Sequence, residues 1–195
     1  MPLRALWAAL ALVLLPAVAH GASPVVAFLG DSLTAGYGLS PPDAYPALLE
    51  RMLGITAINA GVSGNVTADG LARLERDVLA HRPRIVVVAL GINDQIRRVP
   101  AQQSLKNLDE ICRRVQETGA RLLLAHVSPP IGQDTLLSGI RALARQYQAE
   151  LVEDLLRGII TDADLRLDRV HPNARGHQKM AERLRPVLAR VLRSL

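Results

Sequence analysis

The sequence predicts an α/β protein with a doubly wound parallel sheet of about five strands. Two observations carry that prediction. Apolar runs of strand length alternate with longer stretches of helical period along the chain. The strand runs are also apolar at consecutive positions, as in Val86-Val87-Val88-Ala89-Leu90. Continuous apolar runs fit strands that helices cover on both faces.

Strands are expected at 25–29, 55–59, 85–90, 122–127 and 151–152. Helices are expected at 44–53, 68–80, 102–118, 136–149 and 174–192. Leu71, Leu74, Val78 and Leu79 share one helical face, and Leu105, Leu108, Ile111 and Val115 share another. Thr67 and Asn173 suit helix N-caps, and Pro186 is expected to kink the last helix.

Residues 1–21 read as a secretory leader: Arg4, an apolar stretch over 5–19, then small residues, with cleavage after Ala19 or Gly21. The apolar stretch is short for a bilayer span, and no later segment is long and apolar enough, so an exported protein without stable membrane insertion is expected. The signal pattern looks bacterial and does not choose between periplasm and medium. Without an internal repeat or linker, 22–195 reads as one domain.

Composition narrows the function. Hydrophobic residues make up 49% and aromatics 3%, so the core is aliphatic and base stacking is a poor candidate. The net charge of +5 comes mainly from scattered arginines, without the dense basic patch of a nucleic-acid surface. Arg183, Arg185, Arg190 and Arg193 read as the solvated face of the last helix. Cys112 is the only cysteine, so no internal disulfide forms, and its helical spacing makes it a buried apolar residue.

The chemistry lies in four places. Ser32 follows Gly30-Asp31 directly after the first strand, where glycine permits a tight turn that lifts a side chain into a cleft. A serine there also suits a helix N-cap, and Asp31 suits a brace for the turn. Asp168 and His171 lie three residues apart before the last helix, so a turn can aim the carboxylate at one imidazole nitrogen. The other nitrogen is then free to take a serine proton. An ordinary surface turn gives the same short pattern. Gly64 can offer a backbone N–H and Asn93 an amide to an oxyanion, as readily as they form a glycine turn and a helix cap. Ser32, Gly64 and Asn93 all follow predicted strands, so they gather at the carboxyl edge of the sheet, where such folds bind ligands. His126 reads as a satisfied core histidine, and His20, His81 and His177 are weaker base candidates. No H-E-x-x-H pattern, cysteine cluster, G-x-S-x-G elbow or dinucleotide loop is present, so neither metal nor cofactor is expected.

The ordered set resembles the GDSL or SGNH hydrolase family. Gly30-Asp31-Ser32-Leu33-Thr34-Ala35-Gly36-Tyr37-Gly38 looks like its nucleophile block. Gly64, Gly91-Ile92-Asn93-Asp94 and Asp168-x-x-His171-Pro172-Asn173 match the remaining blocks in order. Tyr45-Pro46-Ala47-Leu48-Leu49 and Gly70-Leu71-Ala72-Arg73-Leu74 look most like the small secreted arylesterase, thioesterase and lysophospholipase-like branch. The resemblance implies a flavodoxin-like three-layer α/β/α sandwich. It implies Ser32 as nucleophile, His171 as base and Asp168 as its partner, with an oxyanion hole from Ser32 N–H, Gly64 N–H and the Asn93 side chain. The substrate it implies is a small-molecule or lipid ester or thioester. A carbohydrate O-deacetylase is the alternative, and a catalytically silent envelope binding protein the third reading. Segment 128–134 lacks the Asn and aromatic residue expected in that branch, which leaves acyl-chain length open.

Overall fold

The computed structural model describes residues 23–129 and 132–195; the expected leader lies outside the described residues. Five strands form one sheet: β1 (Val25–Gly30), β2 (Thr56–Gly61), β3 (Ile85–Ala89), β4 (Arg121–Ala125) and β5 (Glu150–Val152). All pairs are parallel, in the order β2-β1-β3-β4-β5. The described helices are α1 (Ser32–Ala35), α2 (Tyr45–Leu53), α3 (Thr67–Asp77), α4 (Ile92–Ile96), α5 (Ala101–Glu117), α6 (Leu137–Gln146) and α7 (Ala174–Arg193).

Strand alternation divides the core in two. Val26 and Phe28 of β1, with Ile85 and Val87 of β3, pack against Leu49 of α2 and Met180, Leu184 and Leu188 of α7. Ala27 and Leu29, with Val86 and Val88, pack against Leu74 of α3, Ile111 of α5 and Ile140 of α6. Both faces of the sheet are therefore covered, as the continuous apolar strands required. The result is the three-layer α/β/α arrangement. Crossovers run outward from β1 on one side and from β3 on the other, so the topological switch lies between these two strands. A crevice opens there at their carboxyl ends. Ser32 follows β1 and Asn93 sits at the start of α4 after β3.

Some boundaries differ from the sequence reading. α1 and α4 have four and five residues, too short to show a period. β4 stops at Ala125, although His126 N still donates to the Val152 carbonyl at 2.8 Å. α6 ends at Gln146 rather than at 149. α7 is continuous through Pro186, which is exposed; the Glu182 carbonyl that loses its partner lies on the solvent side. Asn173 does cap α7, accepting from Gly176 N at 3.1 Å. Thr67 does not cap α3: it is the first helical residue and is fully buried, with its hydroxyl committed to Asp94.

Candidate active site

Ser32 begins α1, and the cap before it is Asp31, whose carboxylate accepts Leu33 N at 2.9 Å. The serine is therefore not needed as a cap, and its hydroxyl is free for another partner. Gly30 serves here by its missing side chain rather than by an unusual backbone. A Cβ at Gly30 would lie 1.9 Å from Thr34 Oγ1, which itself bonds the Tyr45 hydroxyl at 2.9 Å. Burial pushes the Asp31 carboxyl up to about 6, although Leu33 N–H and the nearby His171 pull it down.

The partner of Ser32 is His171: Nε2 and Oγ are 3.1 Å apart. His171 Nδ1 lies 2.8 Å from Asp168 Oδ2. A closed loop holds this turn. Arg166 and Pro172 form an antiparallel bridge, and Leu167 N donates to the His171 carbonyl at 2.8 Å. Asp168 Oδ1 accepts the N–H groups of Val170 and His171, both at 2.8 Å. The Val170 N–H, then the His171 side chain, hold the Asp168 carboxyl down at about 2. The side chain is exposed and stays ionised at neutral pH. The Tyr37 ring lies against His171, with centroids 4.5 Å apart.

Asn93 lines the same crevice, and Gly64 lies in the loop whose Asn65 carbonyl Asn93 meets. Gly64 has φ +80°, a left-handed conformation that favours glycine, and its carbonyl accepts Arg97 Nη2 at 2.8 Å. Among the described residues, neither Gly64 N–H nor Ser32 N–H has a protein acceptor. Asn93 does not cap α4, whose cap is Gly91. Its Nδ2 instead donates to the Asn65 carbonyl at 3.0 Å and to Asp31 Oδ2 at 3.3 Å. Both amide hydrogens are thus donated within the protein; the bond to Asp31 is the longer and weaker one, so a ligand oxygen can compete for that N–H.

Several supporting residues were not foreseen. Arg73 is buried on α3 and joins the Gly30 carbonyl at 2.8 Å to Asn65 Oδ1 at 2.7 Å, tying the end of β1 to the loop after β2. An arginine beside Leu74 on an apolar helix face was the available signal. Asp94, buried next to Asn93, accepts Thr67 N at 2.9 Å, Thr67 Oγ1 at 2.6 Å and Ser104 Oγ at 2.8 Å. Three helices, α3, α4 and α5, are locked together beneath Asn93.

A cleft of about 220 Å³ opens beside Ser32, Asn93 and His171. Leu33, Ile92, Ile96, Val127, Pro129, Leu156, Ile160 and Val170 make its wall mainly apolar, with Ser128, Asp154, Arg157 and Thr161 on its polar side. Arg183 is not simply solvated, as its helical spacing suggested. It donates to the carbonyls of Asp154, Leu155 and Arg157, at 3.2, 2.6 and 2.8 Å, and so pins the cleft wall to α7.

The remaining histidines lie elsewhere. His126 is buried and bonds Asp134 at 2.6 Å; His177 is buried, accepts Tyr45 N at 3.2 Å and stacks on the Tyr45 ring. His81 is exposed on a turn away from Ser32, and His20 lies outside the described residues. Cys112 is fully buried and its thiol is pushed up to about 12, chiefly by burial. Among the described residues no three His, Cys, Asp or Glu side chains gather to hold a metal.

Residues 28–179 match the GDSL-like Lipase/Acylhydrolase family. The chain is 31% identical to the arylesterase of Vibrio mimicus over 84% of its length and 88% of that protein. It is 31% identical to thioesterase 1/protease 1/lysophospholipase L1 of Escherichia coli (strain K12), over 86% of each chain. It superposes on the crystal structure of TesA with a TM-score of 0.81 at 28% identity, covering 86% of this chain and 99% of that one. The chain therefore belongs to the GDSL-like lipase/acylhydrolase family and is a hydrolase of ester bonds.

Proposed function

We propose that this hydrolase cleaves carboxylic esters or thioesters of aliphatic acids through an acyl-enzyme on Ser32. The observation that carries this reading is the pair of contacts linking Asp168 to His171 and His171 to Ser32 at the mouth of an apolar cleft. His171 Nε2 takes the Ser32 proton as Oγ attacks the carbonyl. His171 Nδ1–H, donated to Asp168, steadies the imidazolium that forms. The developing oxyanion is held by Ser32 N–H, Gly64 N–H and Asn93 Nδ2. Protonated Nε2 then releases the alcohol or thiol, and the same nitrogen activates the water that resolves the acyl-enzyme.

The cleft wall fits an alkyl chain better than a sugar, which favours this reading over a carbohydrate O-deacetylase. The paired contacts of Ser32, His171 and Asp168 leave little to recommend a silent binding protein. The leader pattern of residues 1–21 supports action outside the cytoplasm, in periplasm or medium. The test is hydrolysis of p-nitrophenyl esters from acetyl to palmitoyl, with and without EDTA, by wild type and Ser32→Ala. Activity that survives EDTA and vanishes in the variant supports the reading. Preference for acetylated xylan over every alkanoyl ester would favour the deacetylase.

A further inference from the structure

Six large apolar side chains are exposed among the described residues: Tyr37, Val62, Ile96, Leu167, Val170 and Leu195. Leu195 is the last residue; the other five surround the site. Ile96 and Val170 line the cleft with Ser32 and His171. Tyr37 covers the His171 ring, and Leu167 lies against Gly38, where a Cβ would be 2.9 Å from its Cδ1. Val62 leaves β2 beside Gly30, to whose carbonyl its N–H donates at 3.1 Å. They come from four separate segments, all at the carboxyl edge of the sheet. Isolated exposed apolar residues are normal, but their confinement to one rim is not.

The same rim carries exposed arginines next to these apolar side chains. Arg97 is committed to the Gly64 carbonyl, so its charge is not neutralised by that contact. Arg98 and Arg169 are exposed beside Ile96 and Val170. Arg157, at the cleft, faces Asp154 at 3.8 Å. Asp168 is engaged by His171, while Asp162 and Asp164 lie exposed beyond it. An apolar ring studded with arginines suits a surface that offers both hydrocarbon and negative charge.

We propose that this rim docks on an anionic phospholipid surface and brings the cleft mouth to the lipid boundary. No helix among the described residues is long and apolar enough to cross a membrane, so the contact is peripheral. Leu167, Val62 and Ile96 enter the headgroup boundary, and Arg98 and Arg169 meet phosphates. The use of such docking rests on the ester-hydrolase reading, because it would present lipid acyl esters to Ser32, but binding itself needs no turnover.

The test is co-sedimentation of the processed, exported protein with vesicles of phosphatidylcholine alone or with 30% phosphatidylglycerol, at low and high salt. Wild type and Ser32→Ala are expected to partition equally onto the anionic vesicles and to be released by salt. Arg98→Gln and Arg169→Gln should each weaken partitioning about fivefold. Val62→Ser and Leu167→Ser should each weaken it at least about threefold, while the Val62 variant hydrolyses soluble p-nitrophenyl acetate at the wild-type rate. Failure of wild type to sediment, equal sedimentation of the rim variants, or a concentration-dependent dimer abolished by the same substitutions would overturn the proposal. Loss of hydrolysis without loss of sedimentation in Ser32→Ala separates the docking from the chemistry.

Discussion

Asn93 donates its side-chain amide to the Asp31 carboxylate at 3.3 Å. The acid that caps the helix bearing Ser32 therefore also aims the amide proposed for the oxyanion. Asp31→Asn keeps an acceptor for Leu33 N but offers an amide hydrogen where Asn93 needs an acceptor. We expect kcat to fall about tenfold to a hundredfold, less than for loss of the donor itself, with KM little changed. Thermal stability at pH 7 should not fall, because a buried charge is removed. Steady-state kinetics and a melting curve on the same sample check both halves.

Asn93→Ala removes the donor outright. Asp94 still locks α3, α4 and α5, so the variant should fold. Its kcat should fall by about 10²–10³. A variant that keeps full activity would remove Asn93 from the oxyanion hole.

Much of this site was legible because its polar residues directly follow apolar strands. A parallel sheet forces Ser32, Gly64 and Asn93 to one edge. The turn holding Asp168 and His171 is local, so its spacing was informative. What escaped was tertiary. The bonds of Asn93 to Asp31, of Arg73 to Gly30 and of Asp94 to Thr67 join distant residues and leave no period. Thr67 looked like a cap because its type fits one, but Asp94 competes for its hydroxyl. Arg183 looked solvated because its spacing matched other arginines, and nothing in the sequence shows the three carbonyls it meets.

Arg183→Ala should loosen the wall at 154–157 and leave those carbonyls without a charged donor. Hydrogen bonds to charged groups contribute about 1.5–3 kcal/mol, so a loss of this order in unfolding free energy is expected. KM for octanoyl esters should rise more than KM for acetyl esters, since the proposed acyl site runs along that wall. Denaturant titration and a chain-length series measure the two effects.

His177 gives the fold an acid-sensitive point. Burial, with a smaller push from His171, lowers it from 6.5 to about 4. The unfolded imidazole therefore takes its proton first, and stability is lost as pH falls through 6.5 toward 4. Asp31 has the opposite sign, because its raised value of about 6 makes ionisation costly as pH rises from 3.8. His177→Gln isolates the first effect. The stability advantage of wild type over the variant should shrink by about 3 kcal/mol between pH 7 and pH 4. An advantage that stays constant across that range would contradict the linkage.

Gly30→Ala tests close packing beneath Ser32. The new methyl must displace Thr34 and disturb its bond to Tyr45. A destabilisation of about 1–3 kcal/mol is expected in denaturant unfolding.

The measurement to make first is covalent labelling with an alkyl fluorophosphonate, followed by peptide mapping by mass spectrometry. One equivalent of phosphonyl adduct on Ser32, matched to complete loss of esterase activity and greatly slowed in His171→Ala, is the expected result. An inactivated enzyme labelled elsewhere, or full turnover by a chain already labelled at Ser32, would contradict Ser32 as the nucleophile.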